Sequence, residues 1–130
     1  MSPRNDHPPY AIEVSVDTQF VVEQSRPEAD HYVFAYTVTL RNVGGVSARL
    51  LARHWVITDA NGKVEEVRGE GVVGEQPRLH PGEGYVYTSG AVLATSVGTM
   101  RGEYLLHADD GTDFATPIPE FVLAVPRTLH

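Results

Sequence analysis

From Tyr32 to Leu40 the side chains alternate without a break. Tyr32, Phe34, Tyr36, Val38 and Leu40 fall on one face, and the smaller Val33, Ala35, Thr37 and Thr39 on the other. A period of two belongs to a β-strand, whose successive side chains point to opposite faces, and a helix period does not fit it. A strand with one large apolar face must bury that face against another layer. The rest of the chain offers only strands for the purpose. Ile12, Val14 and Val16 alternate with Glu13, Ser15 and Asp17, and Phe20 to Val22 reads as the continuation of this strand. Leu50 to Thr58 carries Trp55 and Ile57, and Asn61-Gly62 then marks a hairpin returning through Lys63 to Val67. Tyr85 to Leu93, Tyr104 to Ala108 and Phe114 to Val125 complete the set. Pro117 and Pro119 cannot donate ladder hydrogen bonds, so the last stretch is an edge strand or two pieces. Seven or so short strands separated by turns predict an all-β fold, a two-sheet antiparallel sandwich of the fibronectin type III or immunoglobulin kind. A closed barrel is the alternative.

With 130 residues and 42% apolar content, one domain can bury a core of its own. Residues 10–126 are assigned to it, with tails at 1–9, rich in proline, and at 127–130. The chain has no cysteine, so disulfides, thiol catalysis and thiolate zinc sites are excluded. The first residues hold an acid and no apolar core, unlike a secretory signal, and no apolar run has the length of a membrane span. A cytoplasmic protein without membrane contact is the expectation. Acidic residues outnumber basic ones 17 to 10, a net charge of −7. Duplex nucleic acid and anionic membranes repel such a chain.

The most unusual segment runs Arg68-Gly69-Glu70-Gly71-Val72-Val73-Gly74-Glu75-Gln76-Pro77. Gly69, Gly71 and Gly74 have the spacing of a dinucleotide-binding fingerprint and form a candidate phosphate-binding loop, with Arg53, Arg68 and Arg78 as candidate phosphate partners. The fingerprint works where the glycines open a helix. Here two prolines follow, with no helical period, and Glu70 and Glu75 would repel a pyrophosphate. A sharp turn or close chain packing is the preferred reading of these glycines.

Other constellations are weaker. The histidines lack metal-site spacing, although His54 and His107 lie in strands that would let them meet across a sheet. Asp109-Asp110-Gly111-Thr112-Asp113 reads as a hairpin turn, since the calcium-loop spacing and its flanking helices are absent. No nucleophile elbow appears, and Glu65 and Glu66 point to opposite faces of a strand. No catalytic residue is assigned, no cofactor is expected, and an enzyme is not the reading. Tyr32, Phe34, Tyr36 and Trp55 are read as core. Tyr85 and Tyr87 share a face with Ser89 and are also read as core, with a partner-binding face as the alternative.

The joint pattern resembles the ApaG family. Its carriers are Arg53-x-Trp55, Asp59-x-Asn61-Gly62, the whole Gly69 to Pro77 stretch, Pro81-Gly82-Glu83, Tyr85-x-Tyr87 and Ser89-Gly90. Gly98-x-Met100-x-Gly102-x-Tyr104 and Ile118-Pro119-x-Phe121 add to it. The resemblance implies a fibronectin-III-like fold and a small bacterial protein of unsettled role. It also implies a gene often placed beside a diadenosine tetraphosphatase and a ribosomal RNA adenine methyltransferase, and an association with cobalt and magnesium tolerance. Similar domains sit in eukaryotic F-box and polymerase-partner proteins, where protein interaction is the natural role. The expectation is therefore a non-enzymatic module that binds a protein partner. A nucleotide or pyrophosphate binder using Gly69, Gly71 and Gly74, or a divalent-metal tolerance protein, are the alternatives.

Overall fold

The structure, a computed structural model, describes residues 8–127. Most of the tails expected at 1–9 and 127–130 lies outside that range. Pro8 and Pro9 are inside it, and their carbonyls accept hydrogen bonds from Gly45 and Val46.

Among the described residues eight strands form: β1 (Ile12–Phe20), β2 (Tyr32–Asn42), β3 (Ala48–Asp59), β4 (Val64–Glu70), β5 (Arg78–Leu79), β6 (Gly84–Leu93), β7 (Val97–Ala108) and β8 (Asp113–Ala124). One sheet has the order β1-β2-β6. The other runs β4-β3-β7-β8, with β5 paired to the start of β3. Every pairing is antiparallel. This is the expected sandwich and not a barrel. Among the described residues no helix is long and apolar enough to cross a membrane.

The β2 alternation does what its pattern dictates. Phe34, Tyr36, Val38 and Leu40 are buried, and they face Trp55, Tyr104, Leu106, Ile118 and Leu123 of the opposite sheet. Trp55 is the hub. Its ring stands edge-on to Tyr36 at 5.3 Å, to Phe121 at 5.8 Å and to Tyr104 at 6.3 Å. Such edge-to-face contacts suit the ring quadrupoles. The hydroxyls of Tyr87 and Tyr104 meet at 2.5 Å inside this core, one from each sheet. Each sheet thus supplies the polar partner that the other's buried hydroxyl requires.

Several boundaries differ from the sequence reading, most of all those of β1, β4 and β7. β1 ends at Phe20, not Val22, because a 3-10 turn at Val22–Gln24 folds the chain back. Ser25 holds that end: its hydroxyl donates to the Val21 carbonyl and accepts from the Val33 amide. β7 starts seven residues before Tyr104, at Val97. β8 is the edge of its sheet and remains one strand, with a register shift opposite Met100 and Gly102 that puts Pro119 and Glu120 in a bulge. A bulge frees the position that proline occupies from the ladder.

Candidate functional site

The glycine segment is a rigid, externally braced turn. Its origin is a bulge in β3: the register with β7 slips between Leu50 and Ala52, and Leu51 is the extra residue. An extra residue turns its carbonyl away from the ladder. The Leu51 carbonyl accepts from the Gly71 amide at 2.7 Å and from Gln76 Nε2 at 2.9 Å. Arg53 lies two residues on, with its Nη1 donating to the carbonyls of Glu70 at 3.0 Å and Gly71 at 2.9 Å. Arg49 Nη1 donates to the Gln76 carbonyl, and the Pro77 carbonyl accepts from the Leu50 amide. One short stretch of β3 thereby pins both legs of the loop.

Inside those legs the chain makes a two-residue turn. The amides of Val72 and Glu75 each donate to the other's carbonyl, at 2.8 and 3.0 Å. Val73 and Gly74 between them have φ of 48° and 79°. Two consecutive positive φ values define the mirror-image turn for which Asn-Gly is the favoured pair. Valine is a poor occupant, since a β-branched side chain in the left-handed region is strained. Val72 is fully buried and anchors the loop in the core, whereas Val73 is 60% exposed at the tip.

The three candidate phosphate-binding glycines occupy different places. Gly69 is not in a loop at all: β4 continues through Glu70, and Gly69 pairs with Arg53. A Cβ there would lie 2.7 Å from the Arg53 guanidinium. Gly71, at φ 62°, brings its Cα against the Glu75 carbonyl, a position any Cβ would fill. Gly74 is the second residue of the turn and has open space beside it. The amides of Gly71, Val72 and Glu75 are engaged by protein carbonyls.

The three candidate arginines do not converge on the loop. Arg53 faces the carbonyls just described. Arg68 sits opposite the outward-facing His54. Arg78 pairs with Asp109, and its hydrogen bond holds the Asp109 carboxyl below the usual range. His54 and His107 do not meet, because His54 lies opposite Glu103 and His107 opposite Arg49. His54 Nε2 is 3.3 Å from Glu66, within ion-pair range but without hydrogen-bond alignment, and His107 Nδ1 is 2.5 Å from Asp113. Among the described residues no three histidine, aspartate or glutamate side chains gather as a metal set would need. Asp109 to Asp113 form the expected hairpin turn, with Gly111 at φ 90° and the Thr112 amide on Asp110 Oδ1.

Behind the loop, Tyr36, Tyr87 and Tyr104 form a buried hydroxyl cluster near Arg53. Burial raises the pKa of each, that of Tyr87 to about 12. The nearby Arg53 charge opposes the rise at all three, as do the Ser89 hydroxyl at Tyr36 and the Tyr104 hydroxyl at Tyr87. These phenols are neutral at physiological pH, and all three are buried in the core, as read from the sequence for Tyr36 and Tyr87.

Fold and loop together define a small antiparallel sandwich module that displays a strained apolar turn. A family model for the ApaG domain matches residues 22–108. Protein ApaG of Azoarcus sp. (strain BH72) is 61% identical over 121 residues, covering 93% of this chain and 95% of that one. Protein ApaG of Xanthomonas campestris pv. campestris (strain B100) is 59% identical over 125 residues, covering 96% and 98%. A crystal structure from Bordetella pertussis, of a protein described as ApaA, superposes with a TM-score of 0.91 at 52% identity, covering 94% and 99%. The chain belongs to the ApaG family.

Proposed function

We propose that the protein is a non-enzymatic interaction module that binds a protein partner through the braced turn at Val72–Glu75. The observation that carries this reading is Val73. An exposed β-branched residue held at φ 48° costs stability and gains nothing in the core. Backbone strain of this kind concentrates at ligand-contacting sites. The bracing from Arg49, Leu51, Arg53 and Gln76 supports the same reading, since a pre-ordered loop loses little entropy on binding. An apolar tip with acidic flanks, Glu70 and Glu75, suits a protein surface better than a polyphosphate.

Affinity capture at physiological salt tests the reading: the wild-type chain recovers a stoichiometric protein partner, and recovery of none counts against it. Titration of the labelled protein with ATP, diadenosine tetraphosphate, pyrophosphate, magnesium and cobalt separates the alternatives. Saturable shifts confined to Gly69, Gly71 and Gly74 would favour a phosphate ligand instead.

A further inference from the structure

The two sheets have four long edges, and three of them carry protection against pairing with foreign strands. β1 bears Glu13 and Asp17 and packs beside β8. β8 bears Asp113, Glu120, two prolines and a bulge. β4 bears Glu65, Glu66, Arg68 and Glu70 in seven residues. Charge, proline and bulges are the usual means of blunting an edge. β6 has none of them. Its ten residues, GYVYTSGAVL, include no charge and no proline, and its register with β2 is unbroken from Gly84 to Leu93.

The ladder shows which groups are free. The Asn42 amide donates to the Glu83 carbonyl, and the Asn42 carbonyl accepts from the Gly82 amide. On its other side β2 bonds β1 through odd-numbered residues, as the Val43 amide on Ala11 and the Val33 carbonyl on Val21 show. Antiparallel bonding alternates, so Tyr85, Tyr87, Ser89 and Ala91 bond β2. The amides and carbonyls of Val86, Thr88, Gly90 and Val92 point to the open edge. Val86 is 60% and Val92 52% exposed.

We infer that β6 accepts an extended peptide bearing lysine or arginine, which adds as a fourth strand to the β1-β2-β6 sheet. Main-chain bonding supplies the affinity of such additions, and alternate side chains supply the selectivity. Charge identifies the occupant. Val92 and Leu93 share a cleft of about 50 Å³ with Ile57, Asp59, Lys63 and Glu65. β4, across the sandwich opening, has three glutamates to one arginine, on a chain of net charge −7. A second copy fits poorly, because pairing β6 with β6 would bring two acidic β4 strands face to face. The inference rests on the reading as an interaction module but uses a surface separate from Val73.

The test is selection of displayed random linear peptides on the full chain, followed by titration of the best peptide into labelled protein. Expected are peptides rich in lysine or arginine and amide shifts centred on Val86, Thr88, Gly90 and Val92. Binding should weaken about tenfold in Thr88→Pro, which removes one free donor. It should weaken similarly in Val92→Lys, where a lysine at a half-exposed position repels a cationic strand. Val73→Asn should leave it unchanged. Acidic binders, shifts elsewhere, no binders at all, or full affinity in both β6 variants would overturn the inference. So would a doubled mass in sedimentation. Binders that map to the Val73 turn would overturn it while leaving the interaction-module reading in place.

Discussion

Val73 and Gly71 lie two residues apart in the same left-handed region, yet their substitutions should have opposite signs. Val73→Asn converts the turn to Asn-Gly and should stabilise the protein by about 1 kcal/mol, read from urea unfolding. Gly71→Ala should destabilise it by about 2 kcal/mol or more, because its Cβ meets the Glu75 carbonyl and its φ is 62°. The sequence marked the right segment, since its glycine density predicts a sharp turn. It also marked the β3–β4 hairpin correctly at Asn61-Gly62, though not its turn geometry. Asn61-Gly62 reads as the tight mirror-image turn, but only Gly62 has positive φ there, and the loop closes from Asp59 to Lys63. The turn with two positive φ values is Val73-Gly74, which valine disguises. Local propensity favours extended backbone for valine, and here tertiary bracing overrides it.

Among the elements, β2 was legible from Tyr32 to Leu40, two residues short of its end, because its burial alternates cleanly. The edge position of β8 was one of the two readings its prolines allowed, the other being two separate pieces. The first half of β7 was not legible. The strand reads as starting at Tyr104, yet Gly98 to Gly102 pairs with β3 from Asp59 to Trp55. Gly102 is there for space: a Cβ would run into the His54 carbonyl, so the backbones approach only where a side chain is missing. Gly102→Ala should therefore cost about 2 kcal/mol or more, measurable as a lowered urea midpoint with an unchanged slope. The bulge at Leu51 was equally hidden, because one extra residue leaves no trace in an alternation already broken by Arg53 and His54. The whole candidate site depends on that bulge, which turns the Leu51 carbonyl toward the loop.

At the scale of the whole molecule, the two sheets are joined through a neutral phenol cluster. Tyr36, Tyr87 and Tyr104 have pKa values raised above the unfolded value near 10. Their contribution to stability is fully present below pH 10. As pH rises further the unfolded chain loses these protons first, and stability declines toward the folded value, about 12 for Tyr87. Each affected tyrosine should remove about 1.4 kcal/mol per pH unit in that window. Thermal melts between pH 9 and about 11 should show a steep fall that Tyr87→Phe makes shallower.

The braced turn gives up stability to hold Val73 outside the core, and the central proposal is that a partner surface uses it there. The most direct measurement compares wild type and Val73→Asn in quantitative capture of the partner at physiological salt. The variant should fold more stably and yet recover the partner at least about tenfold less well, as expected for loss of a central apolar anchor. Equal recovery by the two proteins would contradict the account, and Val73 would then be strain without a function.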